Sequence, residues 1–392
     1  MGYDALSSEQ SEIRELVRTL ARERIAPRAA EIDESHEFPW DVVELFRGHG
    51  IFGLLFEEEW GGTGTGALLA LVAIEELSKV CATSGLIVAV QELGSLGLKL
   101  AGSQEQKERW LPALASGEML CAYALTEAGS GSDSAAMRTT ARRDGDEYVL
   151  DGSKRFITNA GVAGLYTVFA KTDPDGGHAG ISAFVLPADA PGFEVTRLEP
   201  KMGIAGSTTG ELAFDGCRIA AKNLLGEEGE GFRIAMRILD RSRPGVAAQA
   251  LGIAQGATDY ALEYAKTRET MGKPIAEHQL IQAKLADMET ECEAARGLLY
   301  RFGQMVDAGV DGPDLTKASA MAKLKCADVA MAVTTDAVQI LGGYGYVKEY
   351  PMERFMRDAK ITQIYEGTQE IQRLVIAREM LHETRAFLLG GV

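Results

Sequence analysis

Apolar positions along the chain change their period twice. From Ser7 to about Gly117 they recur at helical spacing. Ile13, Leu16, Val17 and Leu20 fall at i, i+3, i+4 and i+7 behind Ser7 and Gln10, a pair that fits a capping box, and Pro27 is expected to close this first helix. The glycine cluster GGTGTG, Gly61 to Gly66, reads as a connector between further helical stretches, because it lacks the spacing and lysine of a phosphate-binding P-loop.

From Cys121 to about Leu225 the helical period gives way to short runs of strand composition. EYVLDG, KRFITN, LYTVFAKT, GISAFVLP, GFEVTRL and GELAFDGCRI alternate with Gly, Asp and Pro turns, which predicts a compact antiparallel β domain, barrel or sandwich. GEEGEG, Gly226 to Gly231, then links back to helix. In the last stretch Ile281, Leu285, Met288, Cys292, Ala295, Leu299, Phe302 and Val306 form a stripe with a mean period of 3.5, as in long helices packed nearly antiparallel in a four-helix bundle. A second, alanine-rich helix is expected from about Thr316 to Gln339, stopped by Gly342 and Gly343. The expected fold is therefore α+β and mostly helical: an N-terminal helical domain (1–120), a middle antiparallel β-barrel-like domain (121–228) and a C-terminal four-helix bundle (229–392).

Composition narrows the function. The chain has 392 residues, 46% apolar and 25% charged, without a low-complexity tract, as expected of globular protein with room for two or three domains. A formal charge of -17 argues against a general nucleic-acid or anionic-membrane surface, since either partner needs a basic face. The N-terminal residues carry acids early and lack an apolar core of signal-peptide length, and no apolar run is read as long enough to span a membrane, so the expected location is the cytoplasm, without membrane insertion. Cys81, Cys121, Cys217, Cys292 and Cys326 are scattered singly and read as reduced structural thiols, and the five histidines show no ligand spacing, so no metal is expected.

Four stretches offer chemistry. YALTEAGSGSD, Tyr123 to Asp133, places Gly129 and Gly131 among small hydroxyl residues, a loop able to approach an anion or a heteroaromatic ring, with Thr126 and Ser132 as donors; a plain turn has the same composition. In FITNAG, Phe156 and Thr158 lie two residues apart on one strand, suited either to a flat cofactor or to core packing. Arg233, Arg237 and Arg241 form a cationic stripe that suits a phosphorylated ligand or, more ordinarily, pairs with acids, and Arg243 precedes Pro244, where the helix is expected to kink or restart. Finally, ITQIYEGTQEIQR sets Glu366 between Tyr365 and Gly367. Lone glutamates are usually solvated, but apolar neighbours raise a carboxyl pKa and a glycine lets the chain turn towards a cavity, which are the properties of a base for a carbon-bound proton.

Taken together, YALTEAGSGSD, FITNAG, KMGIAGSTTGELAFDGCRI, LGEEGEGF, LADMETECEAAR and QILGGYGYVKEYPMERFMRDAKITQIYEGTQEIQRLVIAREML resemble the acyl-CoA dehydrogenase family over nearly the whole chain, nearest in look to its short-chain, butyryl-type members. The resemblance implies the three-domain fold read above and an FAD-dependent enzyme. It implies that Glu366 takes the α-proton of a saturated acyl-CoA while hydride passes to the flavin, that electrons leave to an electron-transferring flavoprotein, and that the protein is a homotetramer. Tyr123, Leu125, Thr126, Gly131, Ser132, Phe156, Ile157 and Thr158 would line the flavin, with Thr126 and Thr158 as donors to the ring. Arg268, Thr270, Gln279, Gln339, Gly342 and Gly343 would hold the pyrophosphate and adenosine, partly from a neighbouring subunit, and Thr368 and Glu370 would approach FAD. Ser132, Asp240, Arg241, Ser242, Arg243 and Gly367 would meet the substrate.

The chain departs from the family pattern at Phe156, where many members carry Trp, at Met271, where Phe is common, and at Ala205, where Arg is frequent. Some relatives carry the base on the DRSR helix, where Ser242 stands here, which leaves Glu366 as the candidate in either place. A dehydrogenase of carrier-protein-bound acyl groups, a flavin oxidase or monooxygenase on the same scaffold, and a silent binding subunit are the alternatives.

Overall fold

A computed structural model describes residues 6–388. Six helices build the N-terminal part: α1 (Ser8–Leu20), α2 (Ala29–Ser35), α3 (Trp40–Gly48), α4 (Ala67–Ser78), α5 (Ala82–Ala101) and α6 (Gln104–Ala115). The capping box is present, with the Gln10 amide N–H donating to the Ser7 hydroxyl at 3.1 Å and the Ser7 N–H donating to the Gln10 side chain at 3.0 Å. Pro27 does not close this helix. The regular part ends earlier, at Leu20; a π turn over Ala21–Ile25 and a 3-10 turn over Ala26–Arg28 carry the path on into α2. Proline is tolerated there because the first residues of a helical turn donate no backbone bond.

A second correction concerns α5. Its 20 residues are long and apolar enough to cross a membrane, which the sequence reading did not recognise. Here most of them are buried inside the protein, where α5 packs on α4, on the first strand and on the long helix that follows the sheet. A helix hydrophobic all round belongs to an interior, whether of protein or of lipid.

The middle part is one sheet of β1 (Cys121–Ala124), β2 (Thr140–Asp144), β3 (Glu147–Thr158), β4 (Leu165–Lys171), β5 (Ile181–Pro187), β6 (Phe193–Leu198), β7 (Thr209–Ala220) and β8 (Leu224–Leu225). Its order is β6-β7-β3-β2-β4-β5-β8, with β1 paired to β4. Most pairs are antiparallel as expected, but β1 runs parallel to β4, as does the single-pair contact of β2 with β4. EYVLDG and KRFITN are a single strand rather than two. The break between them is Gly152, whose φ of 141° and register shift bend β3 without ending it. A second shift lies between Lys154 and Ile157, where Phe156 takes φ 59°, so the strand is not regularly pleated at FITNAG.

The C-terminal part contains α7 (Gly231–Thr267), a short hairpin of β9 (Glu269–Thr270) and β10 (Lys273–Pro274), then α8 (Gln279–Asp307), α9 (Pro313–Leu341), α10 (Gly343–Tyr346), α11 (Met352–Thr362) and α12 (Gln369–Leu388). The stripe on α8 is real: Met288, Cys292, Ala295, Leu299 and Phe302 are buried, with Ile281, Leu285 and Val306 packed at its ends. α9 lies against α7, α8, α11 and α12. The expected break at Pro244 is absent, since α7 runs through it. One apolar core joins both helical regions and a second fills the sheet around Tyr148, Tyr166, Phe184 and Phe214. All five cysteines are free and buried.

Buried charge ties these parts together. Glu75 on α4 accepts from Arg296 at 3.0 Å and from Tyr300 at 2.9 Å, both on α8. Asp358 on α11 accepts the Ile204 N–H of the β6–β7 connection at 2.5 Å, and burial pushes its carboxyl up to about 7. Where α7 crosses α4, helix meets backbone without side chains between. A Cβ on Gly252 would stand 2.4 Å from the Glu75 carbonyl oxygen, and one on Gly256 2.1 Å from that of Lys79. Alanine at Gly256 gains about 1 kcal/mol of helix propensity, but forcing the helices apart costs about 1–3 kcal/mol. Gly256→Ala is therefore expected to lower the thermal unfolding midpoint; an unchanged or higher midpoint would mean the crossing is not tight.

Candidate active site

ITQIYEGTQEIQR forms the corner between α11 and α12, and Glu366 stands at its apex. Its φ is 51°, in the left-handed region, and Gly367 follows at 92°. A non-glycine residue there is strained by about 1 kcal/mol or more and persists only where its surroundings hold it. They do so from two sides. Gln372 on α12 donates to the carbonyls of Glu366 at 3.2 Å and Gly367 at 3.0 Å, and Lys323 on α9 donates to the Gly367 carbonyl at 2.7 Å. Before the corner, Tyr365 donates to Gln249 on α7, whose amide in turn donates to the Ala82 carbonyl at the start of α5, at 2.9 Å.

Directed inward, the Glu366 carboxylate accepts the Ser242 hydroxyl at 2.6 Å. Desolvation raises its pKa, opposed by that hydrogen bond and by the positive charges of Arg243 and Lys323. The backbone N–H of Glu366 has no acceptor among the described residues. Buried groups without partners among the described residues cluster on the same side: the Tyr123 hydroxyl, whose ionisation is opposed first by burial and then by the charge of Glu366, and Nε of Arg243. A carboxyl of raised pKa and an unpaired N–H on one residue can remove a proton and stabilise the oxygen anion that results.

The DRSR turn of α7 lies beneath this residue. Arg243 donates to Asp240 at 2.8 Å, Thr316 of α9 donates to the other Asp240 oxygen at 2.7 Å, and Ser242 and Arg243 are buried. Of the arginine stripe, Arg241 faces Asp311 at 3.4 Å and Arg233 pairs with Glu230, the ordinary pairing with acids. Asp240, Ser242, Arg243 and Gly367 thus meet around Glu366, whereas Arg241 turns to Asp311 and Ser132 is exposed.

The loop after β1 is stapled to β3. Lys154, fully buried, donates to Glu127 at 2.8 Å and to the Leu125 carbonyl at 3.1 Å, and the Arg155 N–H donates to the Thr126 carbonyl at 2.8 Å. This brings Leu125 and Thr126 beside Phe156, Ile157 and Thr158. Ile157 is buried, but the Phe156 ring is 57% exposed, which rules out core packing for it. The hydroxyls of Thr126 and Thr158, both half-buried, have no partner among the described residues. An exposed aromatic surface flanked by two unpaired donors fits a flat heteroaromatic ring, while Gly131 and Ser132 form the open rim of the loop.

Arg268, Thr270, Gln279, Gln339, Gly342 and Gly343 form a separate, exposed group at the ends of α7 and α9 and the start of α8. Arg268 lies over the Tyr344 ring at 5.2 Å, and the Thr270 hydroxyl meets His278 at 3.2 Å. No hydrogen bond, ion pair or ring contact of the described residues joins this group to Glu366. Large apolar side chains stand exposed around it, Met271 by 94%, Leu280 and Tyr346 each by 82%. Thr368 precedes α12 and Glu370 lies in its first turn, exposed. A cleft of about 1420 Å³ between α1, α4, α7 and α8 contains none of these groups; unpaired donors and shifted carboxyls, not volume, locate the chemistry.

Sequence reading missed Lys323, Gln249, Gln369 and Gln372. Lys323 left a trace: it occupies the buried phase of α9, four residues from both Ser319 and Ala327, in a helix otherwise small and apolar there. The glutamines left none: Gln249 and Gln369 reach partners distant in sequence, and Gln372 turns back to carbonyls five and six residues before it across a corner that the pattern does not show.

Comparison with known proteins identifies the family. Family models described as the acyl-CoA dehydrogenase N-terminal, middle and C-terminal domains match residues 7–118, 122–217 and 229–381. The cyclohexane-1-carbonyl-CoA dehydrogenase of Geobacter metallireducens is 48% identical over 379 residues, 96% of this chain and 98% of that protein. The short-chain-specific acyl-CoA dehydrogenase of Clostridium acetobutylicum is 46% identical over 95% of this chain and 98% of its own length. The butyryl-CoA dehydrogenase structure from Megasphaera elsdenii superposes with a TM-score of 0.94 at 43% identity, covering 97% of this chain and all of that one. Three matching domains in order, on a fold shared from end to end, make this chain an acyl-CoA dehydrogenase, a member of that family.

Proposed function

We propose that the protein oxidises a short saturated acyl-CoA at its α,β bond to the trans-2-enoyl thioester, with Glu366 as the base. The observation that carries this reading is the pairing, on one left-handed residue, of a carboxyl with a raised pKa and a backbone N–H with no acceptor. The α-hydrogen of a thioester is too weakly acidic for a solvated carboxylate, so its removal requires both a stronger base and a donor to the carbonyl oxygen. Burial supplies the first and the free N–H supplies the second.

Phe156, Ile157, Thr126 and Thr158, with Tyr123, Leu125, Gly131 and Ser132, would hold the isoalloxazine of FAD, and the exposed group around Arg268, Thr270, Gln279, Gln339, Gly342 and Gly343 would hold its pyrophosphate and adenosine, approached by Thr368 and Glu370. When bound, the flavin supplies the acceptor for the β-hydrogen and its bonding pair. Glu366 takes the α-proton onto a carboxylate oxygen, and its N–H donates to the thioester oxygen as charge develops there. Ser242 keeps the carboxylate aimed and lowers its affinity for a proton, so that it remains ionised until substrate arrives. Arg243, pinned by Asp240, stabilises the same ionised form. The exposed apolar residues around Tyr346 and Leu280 support assembly as a homotetramer in which a neighbour completes the adenosine site. An electron-transferring flavoprotein is the proposed acceptor.

Anaerobic titration of the flavin-loaded protein with acyl-CoAs of increasing length tests the reading. Butyryl-CoA is expected to bleach the flavin absorbance; a spectrum unchanged by every acyl-CoA would overturn it. Glu366→Gln is expected to retain flavin and ligand binding while slowing reduction by about 10²–10⁴-fold, because the amide keeps the shape and loses the base. Ser242→Ala removes a hydrogen bond to the charged form, so the Glu366 pKa should rise. Activity requires the ionised base, and the acid limb of the kcat–pH profile should therefore move up by about one pH unit, with little change in KM.

A further inference from the structure

Lys323 lies on α9, outside every motif that points to the site, and is fully buried. Burial of an isolated ammonium costs several kcal/mol, so such a lysine is retained with partners or with a task. Its amino group donates to the Gly367 carbonyl at 2.7 Å and to Gln369 Oε1 at 3.1 Å. Gln369 is itself held: its amide donates to the Leu324 carbonyl and to Asp328, each at 2.8 Å. The lysine therefore joins α9 to the peptide immediately following the base. Among the described residues it is the one cation hydrogen-bonded to the carbonyls of Glu366 and Gly367.

We infer that Lys323 is a positioning residue for Glu366: it clamps the Gly367 carbonyl so that the left-handed corner keeps its shape, and its charge holds the buried carboxylate ionised. The catalytic consequence rests on the dehydrogenase reading above; the clamp and the charge coupling do not.

Two considerations separate this role from ordinary core filling. A methionine or leucine fills the same volume without the desolvation cost, so packing alone does not account for an ammonium here. The coupling also runs in both directions: Glu366 is the largest influence favouring the charged lysine, against burial that lowers its pKa to about 7, and Lys323 is one of the groups lowering that of Glu366. Charges facing the pair are Arg243 and Asp240 from α7, Asp328 from α9 itself and Glu370 from α12, with the Tyr123 hydroxyl from β1. Arg243 opposes the lysine and supports the carboxylate, whereas Asp328 and Glu370 support the lysine. Removing the ammonium leaves Glu366 with Arg243 as its remaining cation, so its proton affinity rises.

Lys323→Gln isolates the charge, because the amide still donates to Gly367 but is neutral, and Lys323→Met removes charge and clamp together. The readout is the infrared carboxylic-acid band of Glu366 in the flavin-loaded protein, assigned by its loss in Glu366→Gln and followed against pH. In Lys323→Gln the band should titrate about one pH unit higher than in the wild type, and the acid limb of the kcat–pH profile for butyryl-CoA should move with it while KM stays within about threefold. Lys323→Met should show the same shift and a further loss of kcat, with flavin content retained. An unshifted band in Lys323→Gln would overturn the inference, and this variant decides even if Lys323→Met fails to fold. Should no acyl-CoA reduce the wild-type flavin, the dehydrogenase reading falls while the infrared titration still tests the coupling of Lys323 to Glu366.

Discussion

A carboxylate removed from water must be compensated by cations and donors, and the arrangement of this protein around Glu366 follows from that requirement. A single helix cannot supply the compensation, because its own side chains at i±3 and i±4 all lie along one stripe. Here the compensation comes from two other helices, through the Ser242 hydroxyl and the Arg243 charge on α7 and the Lys323 charge on α9, while Gln372 on α12 holds the backbone carbonyls of the corner and Tyr123 of β1 faces the carboxylate. The compensation stops short of completeness. The Glu366 pKa remains raised and its N–H remains unpaired. A fully satisfied carboxylate would be a poor base, and an unsupported one would be protonated.

The same corner explains why the helices must be long and firmly crossed. α7 reaches from the sheet past the DRSR turn to the crossing with α4, where Gly252 and Gly256 allow backbone against backbone. Movement of α7 by a fraction of an ångström would lengthen the 2.6 Å Ser242 contact, and hydrogen bonds weaken steeply with distance and angle. Gln249, five residues beyond Pro244 on that helix, joins Tyr365 to the start of α5, so the N-terminal helices also bear on the corner. The stability of distant interfaces is in this sense part of the site's geometry.

How much of this was readable in advance depended on whether a feature is local. The capping box at Ser7, the strand runs, the α8 stripe and the glycine after Glu366 are encoded within a few residues, and each stands where its pattern put it. Features decided by tertiary contact were read wrongly or not at all. Pro27 looked like a helix end and Pro244 like a kink or restart, because proline removes one backbone donor. Packing of α7 on α4, α5 and α9 outweighs that one bond, and the path after α1 absorbs Pro27 in a 3-10 turn. EYVLDG and KRFITN looked like two strands because Gly152 resembles a turn, yet β7 pairs across both halves. Gln249 was invisible because its partner Tyr365 lies 116 positions away, and Lys323 showed only as a charge in the buried phase of α9, its Gly367 partner being 44 positions away.

Pro244 has a further consequence. A proline within a helix leaves the carbonyl of residue i−4, here Asp240, without its usual donor and disturbs the turn between them. That turn is DRSR, the one that bears on Glu366. Within it, Asp240 and Arg243 pair at i, i+3, and Thr316 holds the remaining carboxylate oxygen from the neighbouring helix. A helical turn weakened by proline is thus secured by side chains instead of backbone. Those side chains are the ones whose charges bear on the base. The local defect and the site's electrostatics are parts of one arrangement: the turn is held in place by its own ion pair, and the Ser242 hydroxyl between those two residues is free to point at Glu366.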